Sequence, residues 1–190
     1  MATLTIVPAR SKAEKKAFMM LPFDIYKNNP YWVSPLLVDM RHMFGLNGMV
    51  DGLLGAKGQH PFYEYGQMQL YIAYAGKKAV GRIAAINNDR YNEVHKDEGG
   101  VGFFGFFECI NDQKVANLLL DTAKKWLKNY QLTKMQGPAS PSSSYDFGLL
   151  TKGFDDYPRV DMPYQHEYYQ ELFANYGLPC RQELLAYKMD

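Results

Sequence analysis

The run QLYIAYAGKKAVGRIAAINN, Gln69 to Asn88, constrains this chain more than any other stretch. Two segments rich in β-branched and aromatic residues flank a tight AGKK turn, which is the pattern of an antiparallel hairpin. A third strand-like run, VGFFGFFECI (Val101 to Ile110), follows the polar connector DRYNEVHKDEGG, so three consecutive antiparallel strands are expected. Directly after it, Asp112 to Tyr130 sets Val115, Leu118, Leu119, Thr122, Ala123, Trp126, Leu127 and Tyr130 at the i, i+3, i+4, i+7 spacing of a helix with one buried face. Asn111 or Asp112 can cap that helix.

The flanks extend the pattern on both sides. TLTIV (Thr3 to Val7) reads as a short strand stopped by Pro8, and Ser11 with Glu14 has the capping-box spacing that opens a helix through Lys12 to Leu21. A second short helix is expected after Pro35, and the glycine-rich stretch Gly45 to Gly58 reads as a mobile loop or a broken helix. On the other side, KMQGPAS (Lys134 to Ser140) reads as a strand ending at Pro138. The irregular segment Pro141 to Gln165 is long for a structureless connection, which marks it as a candidate functional loop or lid. His166 to Gly177 reads as a helix with Tyr169, Leu172, Phe173 and Tyr176 on one face, and RQELLAYKM as a last strand. There is no internal repeat.

Bulk properties narrow the function classes. A chain of 190 residues suits one domain with a real core. Its 21 Lys and Arg against 20 Asp and Glu leave a net charge of +1, so no global field draws it to nucleic acid or to an anionic membrane. Cys109 and Cys180 are too few for a disulfide framework or a zinc site, which fits a reducing cytoplasm. The N-terminus lacks the apolar core of a signal peptide, and no run approaches the roughly 18 apolar residues of a membrane span. HEYYQ, from His166, departs from the zinc-binding H-E-x-x-H at Gln170, so no metal site is expected.

GVGFFG, Gly100 to Gly105, matches the dinucleotide-binding pattern G-x-G-x-x-G letter for letter. That loop works only where a buried strand enters the first glycine and a helix starts near the last, so that helix N–H groups face a pyrophosphate. Here charged HKDEGG precedes it and strand-like FFECIN follows. These glycines are read instead as sites of a bulge, or of close approach by a neighbour, within a strand.

The order strand, two helices, three antiparallel strands, long helix, strand, helix, strand resembles the GNAT acyltransferase fold, and GRIAAINN, GFFGFFECINDQKVANLLLDTAKKWL, GPASPSSSYDFGLL and GFDDYPRVDMPY together resemble a bacterial GNAT-like family that includes ceramide-synthase-like acyltransferases. The resemblance implies an α/β (α+β) GNAT-like fold, a mixed central sheet of about six to seven strands with about four helices. It covers residues 1–190 as a single acyl-CoA N-acyltransferase domain that looks like the N-terminal half of a longer protein. A second GNAT-like domain, or a homodimer, would be its partner.

The same resemblance implies an acyl-CoA cosubstrate, no tightly bound cofactor, and a small amine or lipid-like acceptor. In the GNAT fold the strands before and after the long helix splay apart and the pantetheine arm lies in the gap. Here those strands are Phe103 to Ile110 and Lys134 to Ser140, so the backbone of Phe106, Phe107, Cys109 and Ile110 would bond the pantetheine amides. The pyrophosphate would meet the helix starting near Asp112, beside Lys114, whose other reading is an exposed surface lysine. Two features depart from the pattern. CINDQKVA lacks the glycines of the usual phosphate loop, and Phe173 stands where many GNAT enzymes carry a tyrosine that protonates the CoA thiolate. Tyr169, one turn earlier on the same face, is the candidate replacement; its other reading is a core tyrosine.

Making an amide requires a neutral amine, so a carboxylate that takes the ammonium proton is sought. Glu108 is the first choice, because burial among Phe103, Phe104, Phe106 and Phe107 would raise its pKa; a rim carboxylate is the alternative. Cys109 reads either as an acyl-carrying nucleophile or as a small buried thiol. Ser140, Ser142 and Tyr145 offer polar contacts to a substrate, or form a solvated turn. Two functions stay open: an acyl-CoA-dependent N-acyltransferase, or a catalytically inactive GNAT-like domain serving ligand binding or assembly.

Overall fold

The computed structural model describes residues 3–160 and 162–187. Strand β1 (Leu4–Pro8) leads into helices α1 (Lys12–Ile25), α2 (Leu37–Met43) and α3 (Met49–Leu53), then the hairpin of β2 (Gly66–Ala75) and β3 (Lys78–Asn88). Helix α4 (Asp89–Val94), strand β4 (Val101–Cys109), helix α5 (Gln113–Lys128), strand β5 (Lys134–Gln136), the short strands β6 (Ala139–Ser140) and β7 (Asp146–Phe147), and helix α6 (Tyr169–Tyr176) complete it. The main sheet has five strands in the order β1-β2-β3-β4-β5, antiparallel except where β5 joins β4 in parallel. This is the expected mixed sheet. β6 and β7 form a separate two-stranded ladder.

Local signals account for most of this. Ser11 and Glu14 form the reciprocal capping box at α1, and Asp112 caps α5 by accepting the Lys114 N–H at 2.8 Å. β4 is buried along its whole length, as is β3 from Val80 on, which is how a strand covered on both faces reads. One face carries Phe104, Phe107 and Cys109 against Val115, Leu119, Leu120 and Ala123 of α5, and Leu172 and Phe173 of α6. The other carries Val101, Phe103 and Phe106 against Phe18 and Met19 of α1, with Phe44. Each fully buried leucine of α5 contributes about 1.5–3 kcal/mol. The buried stripe of α5 also takes in Ala116 and Leu120, while Tyr130 lies past the helix end and is 37% exposed.

The glycines of GVGFFG serve packing. A Cβ on Gly102 would overlap the Leu127 side chain, and one on Gly105 would overlap the carbonyl of Ala139. β4 bulges beside them: its register against β3 shifts between Arg82 and Ala84, and Phe106 takes φ +47°, a left-handed conformation that costs a bulky residue strain.

Three expectations change. The connector after Asn88 is partly helical: the Asn88 side chain caps α4 through the Tyr91 N–H, and Asn92 bonds both backbone groups of Val101. α4 buries no residue, so it left no apolar period to read. The strand expected over Lys134 to Ser140 breaks after Gln136, where Pro138 and Pro141 cannot donate to a ladder. The expected C-terminal strand is not formed over residues 181–187, which carry no regular structure; Lys188 and Met189 lie outside the described residues. Among the described residues the central sheet has five strands and the β6–β7 ladder adds two, close to the expected six to seven. Among the described residues no helix is long and apolar enough to cross a membrane.

Candidate functional site

β5 pairs with β4 only at Val101, Gly102 and Phe103. Beyond Phe103 no strand among the described residues pairs with the outer edge of β4; β6 lies against it without a ladder, and side chains satisfy its backbone instead. The Phe106 N–H donates to Ser140 Oγ at 2.8 Å, the Cys109 N–H donates to the Tyr169 hydroxyl at 2.9 Å, and the Tyr168 hydroxyl donates to the Cys109 carbonyl at 2.6 Å. The Ile110 N–H points the other way, to Val80 O of the β3 side at 3.0 Å.

Glu108 sits at this end of β4, directly opposite Arg82 in the β3 register. It is 9% exposed, and its Oε2 accepts hydrogen bonds from Tyr26 and Tyr169, both at 2.8 Å. Its Oε1 lies 3.6 Å from Arg82 Nη2. The sequence explains how Arg82 is held. Pro22, inside α1, has no N–H to give to Phe18 O one turn back, and Arg82 Nη1 donates to that freed carbonyl at 2.8 Å. The guanidinium also lies 4.9 Å over the Phe18 ring. Arg82 Nε is buried without a partner.

Burial outweighs attraction for both charges. The Glu108 carboxyl is pushed above its usual range by desolvation, against the pull of Arg82 and of the Tyr169 and Tyr26 hydrogen bonds. Arg82 is lowered, again chiefly by burial. The phenols of Tyr26 and Tyr169 rise well above their ordinary value, first through burial and then through the nearby Glu108. Burial also pushes the Cys109 thiol up to about 12, which keeps it protonated and fits the buried-thiol reading.

An aromatic column covers the cluster. Trp32 stacks on Tyr26 at 5.0 Å, Tyr26 on His166 at 4.5 Å, and His166 on Tyr168 at 5.1 Å. His166 also lines a hollow of about 490 Å³ with Asp24, Asn29, Tyr31, Tyr164 and Glu167. The irregular segment 141–165 helps to build it: the Tyr164 hydroxyl bonds Phe154 O at 2.8 Å and Asn29 Oδ1 at 3.2 Å.

The candidates therefore separate. Glu108, Tyr169, Cys109, Phe106 and Ser140 meet at the β4 edge. Phe106 and Phe107 turn their rings to opposite faces, toward Phe44 and Phe173 respectively. Lys114 is exposed in the first turn of α5, Ser142 Oγ accepts the Ser144 N–H, and Tyr145 packs by His60. Among the described residues no hydrogen bond or ring contact joins these three to Glu108. Phe173 is a core ring, 5.4 Å from Phe104. Sequence reading missed Tyr26, Arg82, Tyr168 and His166. The one signal for Arg82 was a charged residue within an otherwise apolar strand.

No protein-family model matches the chain. It is 31% identical over 189 residues to a bacterial ceramide synthase of Caulobacter vibrioides (strain NA1000 / CB15N), covering 100% of this chain and 46% of that protein. It is 29% identical over 182 residues to Protein YghO of Escherichia coli (strain K12), covering 94% of this chain and 42% of that one. The chain thus spans about half the length of the curated relatives it matches. Among solved structures, a tandem GNAT protein from the clavulanic acid biosynthesis pathway superposes with a TM-score of 0.55 at 13% identity, over 92% of this chain and 43% of that one. An aminoglycoside N-acetyltransferase in complex with CoA does so with a TM-score of 0.50 at 15% identity, over 100% and 96%. The fold is therefore GNAT-like, and the sequence likeness to the bacterial ceramide synthase runs along the whole of this chain.

Proposed function

We propose that the chain is one GNAT-like domain of a longer, cytoplasmic N-acyltransferase that moves an acyl group from acyl-CoA to a lipid-like amine. The observation that carries this reading is Glu108, a buried carboxylate with a raised pKa, hydrogen-bonded to Tyr169 at the stretch of β4 that β5 does not pair. The lipid-like acceptor rests on the relative named bacterial ceramide synthase, and a second GNAT-like domain on the partial coverage of that relative and of the tandem GNAT protein.

In this reading acyl-CoA lies along β4, and the Phe106 N–H exchanges Ser140 Oγ for the thioester oxygen, stabilising charge as it develops there. The acceptor ammonium, with a reference pKa of about 10.4, gives its proton to Glu108. The amine nitrogen attacks the carbonyl carbon, the C–N bond forms and the C–S bond breaks. The departing thiolate takes the Tyr169 proton, Tyr169 regains one from Glu108 along their 2.8 Å hydrogen bond, and Glu108, ionised again, takes the second proton that the amide nitrogen sheds and passes it to solvent. Lys114 at the start of α5 would face the pyrophosphate, while Ser142 and Tyr145 would contact the acceptor.

A second reading, a GNAT-like domain without catalysis, is favoured by the same edge. Its Phe106 N–H and both Cys109 backbone groups already have partners in Ser140, Tyr169 and Tyr168. Calorimetric titration with acetyl-CoA and with a long-chain acyl-CoA separates the two. The first reading expects binding; if the folded full-length protein binds neither, the enzyme reading fails. Given binding, Glu108→Gln should lower turnover about 10²–10⁴-fold while leaving acyl-CoA affinity unchanged. Unchanged turnover would remove Glu108 as the base.

A further inference from the structure

The stretch between Gly45 and His60 closes on itself and presents α3 at its tip. Asn47 Nδ2 donates to Ala56 O at 3.0 Å and to Gly58 O at 3.2 Å. α3 turns its one charge inward: Asp51 is buried, accepts from Arg41 Nε at 2.8 Å and from Arg41 Nη2, and caps the helix through the Gly48 N–H at 2.9 Å. The outward face is aliphatic. Met49 is 89% and Leu53 82% exposed, with Val50 and Leu54 beside them.

Both ends of this loop line a cavity of about 360 Å³, Gly45 from one side and Gln59 and His60 from the other. Arg10, Lys15 and His42 also line it, and no carboxylate does. The acids nearby are held or stand off. Glu14 caps α1 through the Arg10 and Ser11 N–H groups and feels the Arg10 charge, Asp51 is paired with Arg41, and Asp39, on α2 outside the lining, acts on His60 only through space. Among the described residues neither Arg10 nor Lys15 makes a salt bridge. His60 Nδ1 accepts the Phe62 N–H at 3.2 Å, so in the neutral ring its proton sits on Nε2; His42 Nε2 is buried with no hydrogen-bond partner.

We propose that this face docks on an anionic phospholipid bilayer, with the cavity taking a headgroup phosphate and the α3 loop inserting its aliphatic side chains beside it. A phosphate offers only acceptors and negative charge, which complements two cations outside any salt bridge and a buried imidazole nitrogen without a hydrogen-bond partner. Protein hot spots favour aromatic and arginine anchors, whereas this tip is a protrusion of Met, Val and Leu, the kind of group that enters a bilayer to a depth of about 5–10 Å. The attraction is local, which the chain's net charge of +1 conceals. It stands independently of the acyltransferase reading.

Vesicle co-sedimentation tests it. The full chain should sediment with phosphatidylglycerol-containing vesicles, less with phosphatidylcholine alone, and less as salt is raised. Leu53→Ser with Leu54→Ser, at exposed positions that leave the fold intact, should lower partitioning roughly tenfold. Arg10→Gln with Lys15→Gln should abolish the preference for phosphatidylglycerol. No sedimentation, or wild-type sedimentation by both variants, overturns the proposal. It is also overturned if inorganic phosphate shifts the His42 and His60 ring resonances while vesicles do not bind. A protein complex or dimer in size exclusion that Leu53→Ser with Leu54→Ser abolishes, without vesicle binding, assigns the face to a protein partner and likewise overturns it.

Discussion

Glu108 and Arg82 show how a pair of opposite charges can both be displaced toward neutrality. They stand 3.6 Å apart, and each loses more solvation than the other returns. For an acid raised in this way the folded state holds its proton longer than the unfolded chain does. Its contribution to stability is therefore full below the unfolded pKa, about 4.3, and is lost as pH rises through the folded value. Denaturant midpoints measured from pH 4 upward should show this decline in the wild type and not in Glu108→Gln; superimposable profiles would contradict it. Tyr169→Phe removes a hydrogen bond that holds the Glu108 pKa down, so the decline should move to higher pH. The variant should also lose about 1–3 kcal/mol, because the Cys109 N–H loses its acceptor.

Elements meet here through absent atoms as much as through present ones. α5 lies close on β4 because Gly102 has no Cβ to strike Leu127, and the chain after β5 can approach because Gly105 leaves room for the Ala139 carbonyl. A side chain can rearrange more cheaply than backbone. Gly102→Ala should cost about 1–3 kcal/mol in urea unfolding, and Gly105→Ala more, since it would push the β4 edge and Ser140 apart. Equal stability of Gly105→Ala and wild type would refute that packing. α1 contributes in the same manner, since the N–H that Pro22 lacks leaves Phe18 O to Arg82.

Over the whole molecule, two cysteines report opposite environments. Cys109 is buried and Cys180 exposed, so a thiol reagent on the native protein should label Cys180 alone, and Cys109 only on unfolding. Prompt labelling of both would mean that the β4 edge opens readily. The hairpin, the capped α1 and α5, and the glycine stop after α6 were all legible in sequence, because turn residues, caps and apolar period act over a few neighbours. α4 was not, since a six-residue helix that buries no residue leaves no apolar stripe, and the C-terminal segment, with Leu184, Leu185 and Tyr187 in a strand-like run, forms no ladder over its described residues 181–187. Glu108 itself could be named from its place in an apolar strand. What surrounds it could not: Tyr26 and Tyr169 come from 82 and 61 residues away, delivered by the β3–β4 register, a bulge and the departure of β5. The sequence by itself determined the elements, which depend on near neighbours. Tertiary structure alone decided which charges share a desolvated space, because burial belongs to the packed assembly and not to any segment of the chain.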